Sequence, residues 1–478
     1  MNSFRKAATF STPAALRAYA AERGFSLPLA DAGRVEALAR PATVYGRRVG
    51  NRWALLPMEG WDCLEDGTPS AFTRRRWLRF ARSGAKLLFG TEAGAITHEA
   101  RSNPSQLLVA RHTLPELKRT LADMRRLHAE LYGTADDLLV GLQLTHSGRF
   151  AHPNRADRLE PVVAYRHPLL DRKFGVEPHV VADSEVGAIT DAYAEAARVA
   201  REAGFDFVDL KCAHGYLGHE FLSAVDRPGP YGGSFENRTR FLREAAEKIH
   251  AACPDLPVAM RLSIFDIQPF EKGPDGIGRP MAREPGPYPY AFGGAGDGLT
   301  MDPDLAEPAA FVRLMREGYG VELVCGTIGS PYYNVHMQRP AYYPVSDGYE
   351  PPEDPLYNVS RHIAAARRLR ELCPGTQVVL SGITCLQEHA VEAAEAAVES
   401  GAADFAGLGR MALSYPEYCA DTLAGRPLDR CRICRTFGDC TNAPRRGEIS
   451  GCYKLDPDYR VLPRGQRPTR VFPVSGEP

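Results

Sequence analysis

The sequence predicts a single (β/α)8 TIM barrel, elaborated by inserted loops and a C-terminal cysteine-rich extension. Three observations carry that prediction: eight short apolar runs rich in β-branched residues, helical patterns between them, and a length of 478 residues, since barrels with insertions commonly exceed ~250. The runs are RWALLPM near 52, AKLLFGT near 85, LLVGLQL near 138, DFVDLKC near 206, PVAMRLS near 257, VELVCGT near 321, QVVLSGI near 377 and DFAGLGR near 404. Among the segments between them are LPELKRTLADMRRLHAEL, EVGAITDAYAEAARVAREAG, ENRTRFLREAAEKIHAA and QEHAVEAAEAAVESG, where apolar residues recur at helical spacing and several helices end near Gly. Strands alternating with helices imply a parallel sheet covered on both faces, and eight such units imply closure. A doubly wound open sheet would need a phosphate fingerprint after an early strand, and none is present.

Along the chain, residues 1–45 read as an N-terminal extension, 46–430 as the barrel and 431–478 as a cysteine-rich segment that leaves the strand and helix rhythm. The Gly/Pro-rich stretch from Lys272 to Thr300, and Gly348 to Pro355, read as long loops inserted after the fifth and sixth strands; loops of that length are usually functional. With 58 basic and 59 acidic residues the charge is balanced, so neither nucleic acid nor an anionic membrane is an expected partner. No apolar run reaches the ~18 residues of a membrane span, and the N-terminus lacks a secretory apolar core, so a cytoplasmic location is expected. The Arg and Ser content before Glu22 faintly matches an organelle transit peptide.

Of eleven cysteines, Cys63, Cys212, Cys253, Cys325, Cys373, Cys385 and Cys419 are scattered and read as small core residues. Cys431, Cys434, Cys440 and Cys452 crowd into C-x2-C-x5-C-x11-C. In a reducing compartment such crowding suggests a metal centre rather than disulfides, either a [4Fe-4S] cluster or zinc, with free thiols as the alternative.

In a barrel of this kind the chemistry lies where strands end and their loops converge. The polar residues there are Glu59; Thr91 and Glu92; Gln143 and His146; Lys211 and His214; Arg261; Ser381 and Gly382; and Gly407, Gly409 and Arg410. Glycines after the seventh and eighth strands let backbone N–H groups approach a phosphate, and an Arg adds a bidentate partner, so a phosphate-bearing ligand is expected. Gln143 can offer its amide to a pyrimidine-like edge.

The segment VDLKCAHGYLGHEFLSAVDRPGPYGGSFENRTRF resembles the signature of the old yellow enzyme family. The likeness extends to QLTHSGRF, to the Arg in MRLS and to GLGR, and covers roughly residues 45 to 425. It implies an FMN-dependent oxidoreductase in which Gln143, Arg261, Ser381, Gly382, Gly409 and Arg410 bind FMN, Pro57, Met58 and Ala93 line it, and Glu59 stands near it. Tyr216 would be the proton donor. Arg261, a cation against the electron-rich edge of the flavin, would favour its reduced form. Lys211 stands where many relatives carry a first histidine, while His214 keeps the second place, so the pair becomes one fixed cation and one imidazole, suited to a carboxylate or an enolate-like oxygen. Glu59 replaces a small residue common in relatives.

The segment CGTIGSPYYNVHMQRPAY is similar to the part of 2,4-dienoyl-CoA reductase that carries a second catalytic histidine, here His336 with Arg339 beside it. The four clustered cysteines fall where that enzyme and trimethylamine dehydrogenase carry a four-iron cluster, with a middle gap two residues longer than theirs. Those relatives continue into a nucleotide domain, and no FAD or NAD fingerprint follows here, so electrons are expected from NAD(P)H docking over the flavin or from a separate electron-transfer protein. The expected reaction is hydride transfer to the activated C=C bond of an α,β-unsaturated carbonyl or acyl substrate. Oxidation of an amine or C–C bond, a Schiff-base aldolase or lyase using Lys211, and a non-catalytic electron-transfer subunit remain open alternatives, as does association into a homo-oligomer.

Overall fold

The computed structural model describes residues 4–299, 302–346 and 348–462. Each of the eight apolar runs supplies one barrel strand: β1 (Trp53–Leu55), β2 (Leu87–Leu88), β3 (Leu139–Thr145), β4 (Phe207–Cys212), β5 (Val258–Ser263), β6 (Leu323–Thr327), β7 (Gln377–Leu380) and β8 (Phe405–Leu408). Neighbours pair in parallel all round, and the ring closes where Leu408 meets Leu55. The predicted (β/α)8 barrel is the fold found.

The outer layer comprises α1 (Ala71–Ala81), α2 (Leu114–Tyr132), α3 (Asp183–Ala203), α4 (Phe235–Ala252), α5 (Ala306–Tyr319), α6 (Pro355–Leu372) and α7 (Ala390–Glu399), with two short helices, Arg410–Ser414 and Tyr418–Leu423, after β8. Their limits follow from local chemistry. Ser234 and Asp354 accept N–H groups at the starts of α4 and α6, and left-handed Gly133, Gly204 and Gly320 end α2, α3 and α5.

Strand periodicity decides what faces inward. On β4, Val208 and Leu210 join the core under the helices, while Phe207 joins the separate core inside the barrel. The inward series therefore runs Phe207, Asp209, Lys211 from bottom to top. On β3 the same alternation gives Leu139, Gly141 and Gln143, and on β5 Ala259, Arg261 and Ser263. Thus the barrel is apolar at its base and charged at its mouth. Gly141 is needed for space: a Cβ there would lie 2.3 Å from the ring of Phe207, whose complete burial contributes about 1.5–3 kcal/mol.

Below the strands, a hairpin of Ala42–Val44 and Arg47–Val49 plugs the base. Val44 and Val49 enter the inner core, and Tyr45 donates from its hydroxyl to the Val258 carbonyl at 2.8 Å. The two inserted loops meet: the first contains a short antiparallel pair, Phe270–Lys272 with Gly278–Pro280, and Ile277 forms a parallel bridge to Glu350 of the second. The cysteine-rich segment folds back across the mouth. Arg75 of α1 grips buried Asp456 with two bonds of 2.9 and 2.8 Å, and Ser450 N–H donates to Gly60 O at 2.7 Å. Among the described residues, no helix is long and apolar enough to cross a membrane.

Candidate active site at the carboxyl end of the barrel

A cavity of about 420 Å³ opens at the mouth. It gathers Pro57, Met58 and Glu59 after β1, Gln143 on β3, Lys211, His214 and Tyr216 from β4 onward, Arg261 on β5, Ser381 and Gly382 after β7, and Gly409 and Arg410 after β8. Of the strand-end candidates, Thr91, Glu92, His146 and Gly407 do not line it, and neither do two residues expected beside the flavin or in catalysis. Ala93 is buried, paired with Gln143 in the sheet, and its carbonyl accepts from Gln106 at 2.8 Å. His336 is packed between Phe270 and Tyr349, with Nδ1 2.8 Å from the Tyr349 hydroxyl, and burial lowers its pKa to about 3. Its neighbour Arg339 does reach the cavity.

The turn that delivers Tyr216 is built from His214 and Gly215, both left-handed at φ 69° and 77°. The strained His214 peptide is held at both ends, its N–H donating to Ser263 Oγ at 3.1 Å and its carbonyl accepting from Ser330 Oγ at 2.8 Å. Beyond the turn, the Tyr216 hydroxyl lies 2.9 Å from that of Tyr332, which is stacked on Phe150 at 3.9 Å between centroids. Lys211 Nζ stands 3.8 Å from the Tyr216 ring centre and donates to Glu59 at 2.8 Å. The other oxygen of Glu59 accepts from Trp61 Nε1 at 2.9 Å and Ser102 Oγ at 3.1 Å. Burial draws the Lys211 pKa down against the pull of Glu59, pushes the Tyr216 phenol well up, and, with Arg261 and Lys211 nearby, keeps His214 neutral.

Glu59 is held in place from below. Arg76 of α1 is buried and paired with both Asp62 and Glu92, while Glu92 also accepts the Gly60 N–H at 3.1 Å. Glu92 thus anchors the loop that carries Pro57 to Glu59.

The polar groups of the cavity fit FMN. Buried and without a partner among the described residues are Gln143 Oε1, Arg261 Nε and Arg410 Nη1: an acceptor for a ring N–H, a cation for the pyrimidine edge and a donor for phosphate. Arg410 is aimed by one bond from Nη2 to the Pro340 carbonyl at 2.9 Å. Gly382 has φ 87°, and any Cβ there would lie 2.6 Å from the His362 ring, so only glycine turns the chain at this corner of the cavity.

The four clustered cysteines behave differently. Cys440 lines the cavity, 4.0 Å from Arg339 Nη2. Cys434 and Cys452 are partly covered and Cys431 is exposed. Among the described residues no group of three or more Cys, His, Asp or Glu is arranged to hold a metal ion.

Sequence reading missed several residues that shape the cavity. Asp209 lies beneath the mouth and binds the Gln143 amide; the two-residue period of VDLKC places it on the face of Lys211 and was the signal available. Tyr332 lies in a turn, and Gln338 and Arg445 are the last residues of the helices Val335–Gln338 and Asp439–Arg445, too short to show a period.

The mouth of a closed parallel barrel thus gathers glycines after the last two strands, an Arg with one unpartnered nitrogen and a phenol under the Lys211 ammonium. The family model described as "NADH:flavin oxidoreductase / NADH oxidase family" matches residues 38–277, half of the chain, and the chain belongs to that family. The NADPH dehydrogenase of Geobacillus sp. (strain WCH70) is 29% identical over 235 residues, which is 48% of this chain and 64% of the relative. That of Clostridium acetobutylicum is 35% identical over 132 residues, 27% of this chain and 38% of the relative. These matches thus span less than two thirds of either relative.

Among solved structures, a 2-naphthoyl-CoA reductase complex with 2-naphthoyl-CoA aligns with TM-score 0.67 at 18% identity, over 89% of this chain and 58% of that one. Histamine dehydrogenase from Rhizobium sp. 4-9 aligns with TM-score 0.62 at 21% identity, over 88% and 52%. At these identities the likeness is one of fold. The family is described as one of NADH:flavin oxidoreductases, and the curated relatives named here are NADPH dehydrogenases.

Proposed function

We propose that the protein reduces the activated C=C bond of an α,β-unsaturated carbonyl or acyl compound, with electrons drawn from NAD(P)H. When bound, FMN supplies the hydride. The chain's own residues do the rest. Lys211 faces the cavity as a donor for the substrate's carbonyl oxygen, where negative charge grows as hydride arrives, and His214 lines it with Nε2 accepting from the Gln338 amide at 2.9 Å. Tyr216 delivers the proton to the adjacent carbon, and Tyr332 and Phe150 wall the position against water.

The observation that carries this reading is the Lys211 ammonium held between Glu59 and the face of Tyr216. It lowers the cost of negative charge on both the phenol and the substrate oxygen. It also fills the place where an amine substrate would seek a carboxylate and an aromatic face, which disfavours amine oxidation. The same ion pair opposes the free amine that a Schiff-base lyase needs.

Two anaerobic half-reactions test the reading. Flavin absorbance of the NADPH-reduced protein should return on mixing with 2-cyclohexenone or an enoyl thioester. Bleaching of the oxidised protein by histamine or another primary amine, with no reoxidation by any unsaturated carbonyl, would overturn it in favour of the oxidative alternative.

A further inference from the structure

We propose that Asp209 is a positioning residue that locks the Gln143 amide with its carbonyl oxygen turned toward the cavity, so that the site selects a ring carrying an imide N–H. The proposal rests on the flavin reading and adds a residue that acts through Gln143.

Asp209 and Gln143 are register partners across β3 and β4, both completely or almost completely buried. Gln143 Nε2 donates to Asp209 Oδ2. A carboxylate only accepts, so turning the amide over would set two acceptors against each other inside the barrel. Gln143 Oε1 is consequently left buried and without a partner among the described residues, on a side chain that lines the cavity. An unconstrained glutamine could present either its donor or its acceptor; this one presents the acceptor alone.

Burial raises the Asp209 carboxyl to about 7 even against the pull of the Gln143 amide, Arg261 and Lys211, so it is the purely accepting carboxylate above that pH, and the bond from the Gln143 amide favours that form. Those two cations are paired in register one inward step above it. An isoalloxazine in its oxidised form has one ring N–H, N3–H, set between two carbonyl oxygens. The fixed acceptor of Gln143 with the cation of Arg261 on the same wall complements that pattern. A purely structural role for Asp209, as counter-charge to Arg261, would make no such distinction.

Apoprotein titrated with FMN and with 3-methyl-FMN, followed by quenching of flavin fluorescence, separates these roles without turnover. The native protein should prefer FMN by about ten- to a hundredfold, the loss expected when a buried acceptor is left unpaired. In Asp209→Asn, whose amide can give or accept, Gln143 is free to adopt either orientation, and the preference should fall to within about threefold. An unchanged preference in a folded variant would overturn the proposal. So would equal binding of both flavins by the native protein, which needs no variant to fold. Binding of neither flavin by the native protein would instead remove the flavin reading, and this proposal with it.

Discussion

Replacing Tyr216 by Phe should leave flavin binding and reduction by NADPH close to native and slow reoxidation by an unsaturated substrate by about 10²- to 10⁴-fold, the range a positioned acid contributes. The ring is retained, so its packing near Phe150 and Tyr332 persists. Only the proton is lost. The phenol is buried and its pKa raised, so it keeps its proton until substrate demands it. The nascent phenolate then has the Lys211 ammonium over its ring and the Tyr332 hydroxyl at 2.9 Å to receive its charge. Lys211→Ala should act differently, raising the substrate concentration needed for half-maximal reoxidation because it removes a fixed cation rather than the proton. Stopped-flow absorbance of the flavin reads both effects. If the Phe variant reoxidises as fast as native protein, Tyr216 is not the acid, and Tyr332 rather than His336 becomes the next phenol or imidazole to test, because His336 lies outside the cavity.

Arg410→Ala should yield protein that is largely flavin-free as purified. Guanidinium-to-phosphate hydrogen bonds are charge-assisted, so their loss weakens binding on the order of a hundredfold. The fold should tolerate the change, because among the described residues the Arg410 guanidinium makes one hydrogen bond, to Pro340 O, and Nη1 has no partner. Flavin released on denaturation, measured against protein, checks the prediction together with a melting curve. Native flavin content in the variant would place the phosphate elsewhere.

Much of this molecule is legible in its sequence because a barrel strand must be apolar on both faces until it reaches the mouth, where polarity begins. QLTH, DLKC and MRLS each show that change, and Gln143, Lys211 and Arg261 from them meet in one cavity. The hairpin at Ala42–Val44 and Arg47–Val49 was not legible: three-residue strands with two exposed arginines give no period to read. Asp209 escaped notice because one acid inside an apolar run looks like an interruption, although its alternation with Lys211 marks it as inward. His336 and Arg339 lie three residues apart, yet only Arg339 turns into the cavity, since the irregular loop after β6 sets direction by packing on Tyr349 and Thr441 rather than by repeat. Cysteine spacing gives distance along the chain and leaves the approach of four thiols undetermined, which is why C-x2-C-x5-C-x11-C reads as a metal motif while Cys431 stands exposed.

FMN at the mouth of this barrel, reduced there by a nicotinamide, is tested most directly by the absorption spectrum of the purified protein under anaerobic titration with NADPH and NADH. A yellow protein that releases about one FMN per chain on denaturation and is bleached by one of the two nicotinamides is expected. A colourless protein that takes up no FMN when the flavin is added in excess would contradict it.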